Sequence, residues 1–238
     1  MKIMVINPNT SSAMTEGIRR TVMAVKRPDT ELTVLCPDEG PIALESDFDR
    51  AFAVPPMLKL VQQANQQGYD AVIIAAFCDP GLKAAREISD ILVLGIEEAS
   101  LHVAAMLGAK FTILTTSSKN IANKEAEVRR YKLEAALVSV RPLGLSVLQT
   151  AEEPELTKKR AIEVLEKAAE EDGAEVAILG CAGMAGYADE ISKKLGLAVL
   201  DPTGVTLKIC EALVESGLVH SKRAMFAKPA EKEFKRKK

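Results

Sequence analysis

The chain alternates short apolar runs with longer stretches in which apolar residues recur every three or four positions. The short runs predict strands at Ile3–Ile6, Glu31–Leu35, Ala71–Ala76, Leu92–Ile96, Phe111–Thr115, Val138–Pro142, Val176–Gly180 and Ala198–Leu200. The periodic stretches predict helices over Thr15–Val25, Ala51–Gln67, Gly81–Ser89, Ser100–Leu107, Lys119–Ala135, Glu155–Glu171, Ala185–Leu195 and Thr203–Ser216. Strands that alternate with helices imply parallel sheets with helices on both faces. In such sheets ligands bind at the C-terminal ends of the strands.

The pattern also repeats. "AREIS" (85–89) and "ADEIS" (188–192) lie 103 residues apart, and so do Cys78 and Cys181. Leu94 with Leu197, Ile96 with Val199 and Glu98 with Asp201 keep the same spacing. Upstream, "GYDAVIIAA" (68–76) matches "GAEVAILGC" (173–181) at a spacing of 105. On that second register Cys181 faces Ala76, because the first half carries the extra Phe77 and Cys78. A third echo joins "MVINPNTSS" to "TILTTSS". The duplication predicts an α/β protein of two pseudo-symmetric lobes, each a mostly parallel sheet flanked by helices. The active site is expected in the cleft between them. Residues 1–98 with 204–238 are assigned to the first lobe, and 99–203 to the second.

The loops at the predicted strand ends carry the candidate chemistry. "NPNTSS" and "TTSS" offer hydroxyls, an amide and free backbone N–H groups at helix starts, which suit carbonyl or carboxylate oxygens and also serve as ordinary N-caps. Cys181 stands between glycines after a buried strand and before a helix, where a thiolate is favoured. A thiolate can act as a nucleophile or as a base. Two thiols facing across a cleft suit inversion of a carbon next to a carbonyl, with a base on one face and an acid on the other. Ile42, in the turn "GPIA" just before the acids of "ALESDFDRA", is placed within reach of the cleft. Cys36 and Cys210 read as structural, and so does His102, early in a helix. The acids Glu45, Asp47 and Asp49 read as a solvated helix start, and "EKEFKRKK" (231–238) as a solvated tail.

Composition narrows the partners. The 238 residues are 47% apolar and 27% charged with a net charge of −2, which gives no electrostatic case for nucleic acid or an anionic membrane. There is no Trp, and no apolar run approaches the length of a membrane span. With no signal-like start, a cytoplasmic protein is expected. The four cysteines have no zinc-like spacing, and only two histidines are available, so no metal is expected. The expected partner is a small-molecule substrate.

The segments "INPNTSSAMTEGI", "DPGLKAARE", "GIEEASLHVA", "ILTT", "EDGAEVAILGCAGM" and "GLVHSK" resemble the hydantoin racemase family of the Asp/Glu racemase superfamily, to which allantoin racemases belong. The resemblance covers nearly the whole chain. It implies a cytoplasmic, homo-oligomeric enzyme that racemises a small cyclic amide between two cysteines with no cofactor. It makes Cys181 the second catalytic cysteine, with Ala182, Gly183 and Met184 lining the site. Pro8, Asn9 and Thr10 line it from the first half, and Thr115 and Thr116 from the second. The family's first cysteine follows its strand directly, as "IAC". Here Ala76 holds that place, and Cys78 stands against Asp79 as the shifted partner, with Ala76, Phe77 and Asp79 grouped in the same site. Two further readings stay open: a one-cysteine decarboxylase or isomerase of the superfamily, resembling arylmalonate decarboxylases, and a non-catalytic metabolite-binding protein.

Overall fold

The computed structural model describes residues 1–230, and the charged tail at 231–238 lies outside the described residues. The first lobe opens with β1 (Lys2–Ile6), α1 (Ser12–Val25), β2 (Glu31–Leu35), α2 (Asp47–Gln66), β3 (Ala71–Ile74), α3 (Leu82–Ile88) and β4 (Leu92–Gly95). Helix α4 (Ile96–Leu107) then leads to β5 (Phe111–Thr115), α5 (Ile121–Arg130), β6 (Leu137–Pro142), α6 (Val147–Glu152), α7 (Pro154–Asp172), β7 (Val176–Leu179), α8 (Ala188–Leu195), β8 (Ala198–Leu200) and α9 (Pro202–Glu215). One sheet runs β2-β1-β3-β4 and the other β6-β5-β7-β8, with every pairing parallel. The two lobes thus repeat one topology.

Strand register decides between the two spacings seen in the sequence. Ile73 pairs with Val5 and Leu94, while Ile178 pairs with Ile113 and Leu200. Ile73 therefore corresponds to Ile178, and Leu94 to Leu200 rather than to Leu197. The 103-residue echo is not a structural correspondence. "AREI" ends α3, whereas "ADEI" begins α8.

All eight strands lie where apolar runs predict them, and the helix ends differ for local reasons. Helix α2 starts at Asp47, four residues early, because Ser46 and Asp49 form a capping box. Helix α4 starts at Ile96 because the Asp79 carboxylate takes the N–H groups of Glu97 and Glu98 at 3.0 and 2.8 Å. Helix α5 stops at Arg130, before Lys132 turns left-handed at φ +60°. Helix α6 has no counterpart among the predicted helices. Its start is a second capping box, Ser146 with Gln149.

One apolar core runs through both sheets. Val5, Ile73 and Leu94 of the first join Ile113, Val176 and Ile178 of the second, with Leu101 of α4 also in the cluster. This shared core fixes how the strand ends of the two lobes face each other. After α9, His220 of "GLVHSK" sets its Nε2 against the N–H and C=O of Val93 on the edge strand β4, at 2.9 and 2.7 Å. That motif closes a sheet edge. Among the described residues, no helix is long and apolar enough to cross a membrane.

Candidate active site

A cavity lies where the loops after β1, β3, β5 and β7 meet. The first lobe contributes Asn9, Leu44, Arg50 and the stretch Ala75–Cys78. The second contributes Thr115, Thr116, Asn120, Lys124, Val147 and the stretch Gly180–Ala182. Cys78 and Cys181 thus come from opposite lobes onto one cavity wall.

The two cysteine loops begin alike. Past β3, Ala75 N donates to Ile6 O, and past β7, Gly180 N donates to Leu114 O, each at 2.8 Å. The next residue is Ala76 in one lobe and Cys181 in the other. The first loop then folds back on itself. Ala76 O accepts from Cys78 N at 2.8 Å and from Asp79 N at 3.0 Å. A turn this tight keeps Cys78 closer to Ala76 than the roughly 6–7 Å of an extended two-residue step. Asp79 completes the turn at φ +40°, an unfavourable region for a residue with a Cβ, and is held there by the α4 cap. Gly95 makes room for this cap, since a Cβ there would meet the Asp79 carboxyl at 2.2 Å.

Cys181 is buried and polar-lined. Gly183 N donates to its Sγ at 3.4 Å, and the Thr150 hydroxyl of α6 lies 3.6 Å away. Burial pushes its thiol above the ordinary cysteine range, while Thr150, Gly183 N–H and Lys124 pull it back. Cys78 is half-buried. Burial pushes its thiol up to about 12, against the positive charges of Lys124 and Arg50. Both cysteines are therefore thiols in the free protein at neutral pH.

Lys124 is a buried cation, 3% exposed, on the face of α5 that also carries Val128. Its ammonium lies 2.7 Å from Glu97 Oε1, donates to Phe77 O, and sits 4.6 Å from the centre of the Phe77 ring. Arg50 guards the other side. It pairs with Asp47 at 2.9 Å, and its buried Nε has no partner among the described residues. Glu45 reaches across the mouth, its carboxylate accepting from Val147 N at 2.8 Å and so capping α6 of the other lobe.

Donors for a substrate oxygen are present. Asn9 Oδ1 accepts from Ser11 N and Asn7 Nδ2, which leaves Asn9 Nδ2 with only the sulfur of Met14 at 3.5 Å. Thr116 Oγ1 accepts from Asn120 Nδ2 at 3.3 Å, which leaves its O–H to donate. Among the described residues, no cluster of three His, Cys, Asp or Glu side chains is arranged to hold a metal.

Of the expected site residues, Asn9, Ala76, Phe77, Cys78, Thr115, Thr116, Cys181 and Ala182 line the cavity. The others are placed elsewhere. Ile42 is 60% exposed, because the chain turns inward only at Leu44, which takes the wall position. Asp79 is spent on the α4 cap. Thr10 bonds to Pro41 O, and Pro8 is buried in the turn before it. Met184 belongs to the second lobe's core, and Gly183 acts through its N–H on Cys181. Sequence reading missed Lys124, Arg50, Glu97 and Thr150. For Thr150 a signal existed in the capping box "SVLQ". For Lys124 the signal was a lysine sharing a helix face with Ile121 and Val128.

Two like α/β lobes that meet at one cavity are the architecture this chain shares with racemases of known structure. The chain belongs to the Asp/Glu/Hydantoin racemase family, whose model matches residues 3–210. It is 37% identical to a hydantoin racemase of Pseudomonas sp. (strain NS671), covering 98% of this chain and 94% of that one. Among solved structures, allantoin racemase from Klebsiella pneumoniae superposes with a TM-score of 0.92 at 35% identity, covering 99% of this chain and 96% of its own. Allantoin racemase from Pseudomonas fluorescens gives 0.93 at 33%, covering 98% and 99%. The protein is an isomerase of the racemase type.

Proposed function

We propose that this protein racemises a small cyclic amide, a 5-substituted hydantoin or allantoin, by proton transfer between Cys78 and Cys181 without a cofactor. The observation that carries the reading is the cavity that receives one cysteine from each lobe. One thiolate takes the proton from the carbon beside the ring carbonyl. The electron pair moves onto that carbonyl oxygen, where Asn9 Nδ2 and the Thr116 hydroxyl stand as donors. The opposite thiol returns a proton to the other face, and the two sulfurs exchange roles for the next turnover. Leu44, Met14 and Val147 give the cavity its apolar share, which suits an uncharged ring.

Incubation of each enantiomer of a 5-substituted hydantoin and of allantoin in D2O tests this. Deuterium at the stereocentre together with loss of optical rotation is the expected result. Neither change across both substrates removes the reading. A second reading, one-cysteine chemistry at Cys181, is favoured by Ala76 standing at the place that matches Cys181. Single-face activity that is left whole in Cys78→Ser and lost in Cys181→Ser selects it.

A further inference from the structure

The described residues contain one buried ion pair with both side chains below 5% exposure, Lys124 with Glu97, and it stands at the wall of the cavity. Such a pair is a costly way to hold two helices together, because both ions give up hydration. Its position is informative. The ammonium touches the carbonyl of Phe77, the residue just before Cys78, from the opposite lobe. The Cys78 loop is therefore held at two points. Lys124 grips Phe77, and the start of α4 grips Asp79.

The charges around Cys78 come from every side. Lys124 approaches from α5, Arg50 from α2, Glu97 from α4, and Asp79 from its own loop. The two carboxylates oppose a thiolate, and the two cations favour it. Arg50 is held by Asp47 on the outer side, and of these two cations Lys124 is the one that hydrogen-bonds the loop among the described residues.

We propose that Lys124 is a positioning residue for Cys78: its buried ammonium clamps the reshaped cysteine loop to the second lobe and supplies the charge that stabilises the Cys78 thiolate. This rests on Cys78 working as a base. Glu97 sets the strength of the effect, since it neutralises part of the same charge.

Site-resolved alkylation tests the proposal without needing turnover. The full chain is treated with iodoacetamide from pH 7 to 10.5, and modification of Cys78 and Cys181 is followed by mass spectrometry. Lys124→Met is expected to slow Cys78 alkylation at pH 9 by about tenfold, the equivalent of one pKa unit. Lys124→Arg keeps the charge and is expected to stay within about twofold of the parent, well inside that unit. Glu97→Gln frees the ammonium from its counter-charge and is expected to speed Cys78 alkylation several-fold. A purely structural clamp predicts something else: loosening by either neutral variant exposes Cys78 and speeds its alkylation in both. Lys124→Met with an unchanged or faster Cys78 profile overturns the proposal. If Lys124→Met does not fold, Lys124→Gln takes its place under the same two outcomes, slower Cys78 alkylation expected and an unchanged or faster profile overturning the proposal. Full racemase activity in Cys78→Ser removes the two-cysteine reading but leaves the alkylation result standing, so the two failures are told apart.

Discussion

Ala76 and Cys181 hold the same place in the two lobes. Each follows the residue whose N–H bonds to the central strand, Ala75 to Ile6 and Gly180 to Leu114, both at 2.8 Å. The thiol of the first lobe has moved two residues on, to Cys78, and a tight turn at Ala76 brings it back to the cavity wall.

That placement gives a rescue experiment. Cys181→Ser is expected to lower racemisation by about 10³-fold, within the range for loss of a positioned acid–base group. Cys78→Ser is expected to lose a similar factor while still washing out the proton of one enantiomer through Cys181. Adding Ala76→Cys to Cys78→Ser puts a thiol at the matching position and is expected to recover at least about tenfold of that loss. Polarimetry with deuterium incorporation reads all three. No recovery, with the fold intact, means that the Ala76 position does not point a thiol at the substrate.

Gly183 makes room for the Thr150 hydroxyl beside the Cys181 sulfur. A Cβ at Gly183 would lie 2.2 Å from Thr150 Oγ1. Thr150 is fully buried, so it cannot swing into solvent. Gly183→Ala is expected to cost roughly 1–3 kcal/mol of stability, as overpacking does. It is also expected to lower kcat at least about tenfold by turning the hydroxyl away from Cys181. Adding Thr150→Ala should return the stability without returning the rate. Rates that recover together with stability show that the hydroxyl is structural only.

Much of this was legible in the sequence, because alternating apolar runs and helical periods are set by burial on a sheet. The eight strands and both cysteine loops follow from that. The 103-residue echo misled because "AREI" and "ADEI" satisfy the same amphipathic period at opposite ends of their helices. Ile42 misled because one turn decides which of two neighbouring apolar residues faces inward, and it is Leu44. Lys124 was missed for a different reason. A lysine on a helix reads as surface, and only the distant Glu97 and the Phe77 carbonyl make its burial tolerable.

His220 predicts an acid-sensitive edge. Burial first, and then the Arg86 charge, hold its ring down to about 4, so the folded protein keeps it neutral against the Val93 N–H. The unfolded chain takes up that proton near 6.5. Stability is therefore complete above about 6.5 and is lost as pH falls towards 4. Part of the ring is exposed, and solvent screening trims the effect to an expected about 2–4 °C in Tm. His220→Gln does not titrate and is expected to show a smaller drop between pH 7 and 4.5. Equal drops in the two proteins locate the acid sensitivity elsewhere.

The thiols predict opposite pH trends for rate and stability on the alkaline side. In the folded protein burial holds Cys78 and Cys210 near 12 and raises Cys181, whereas unfolded thiols ionise near 8.5. Above that value the unfolded chain releases protons that the folded one keeps. Stability is then fully present below about 8.5 and falls as pH rises towards 12. Activity moves the other way, because the working base is a thiolate and the free protein holds thiols. The quantity kcat/KM, which reports the free enzyme, is expected to rise between pH 7 and 9 with a slope near one log unit per pH unit. Denaturant melts at pH 8 and 10, run beside the pH–rate profile, check both. Cys210→Ala separates them: it removes one stability titration from the core and leaves the rate profile in place. A kcat/KM that is flat from pH 7 to 9 means that the base is already ionised in the free protein, and with that the description of the cleft as two protonated thiols fails.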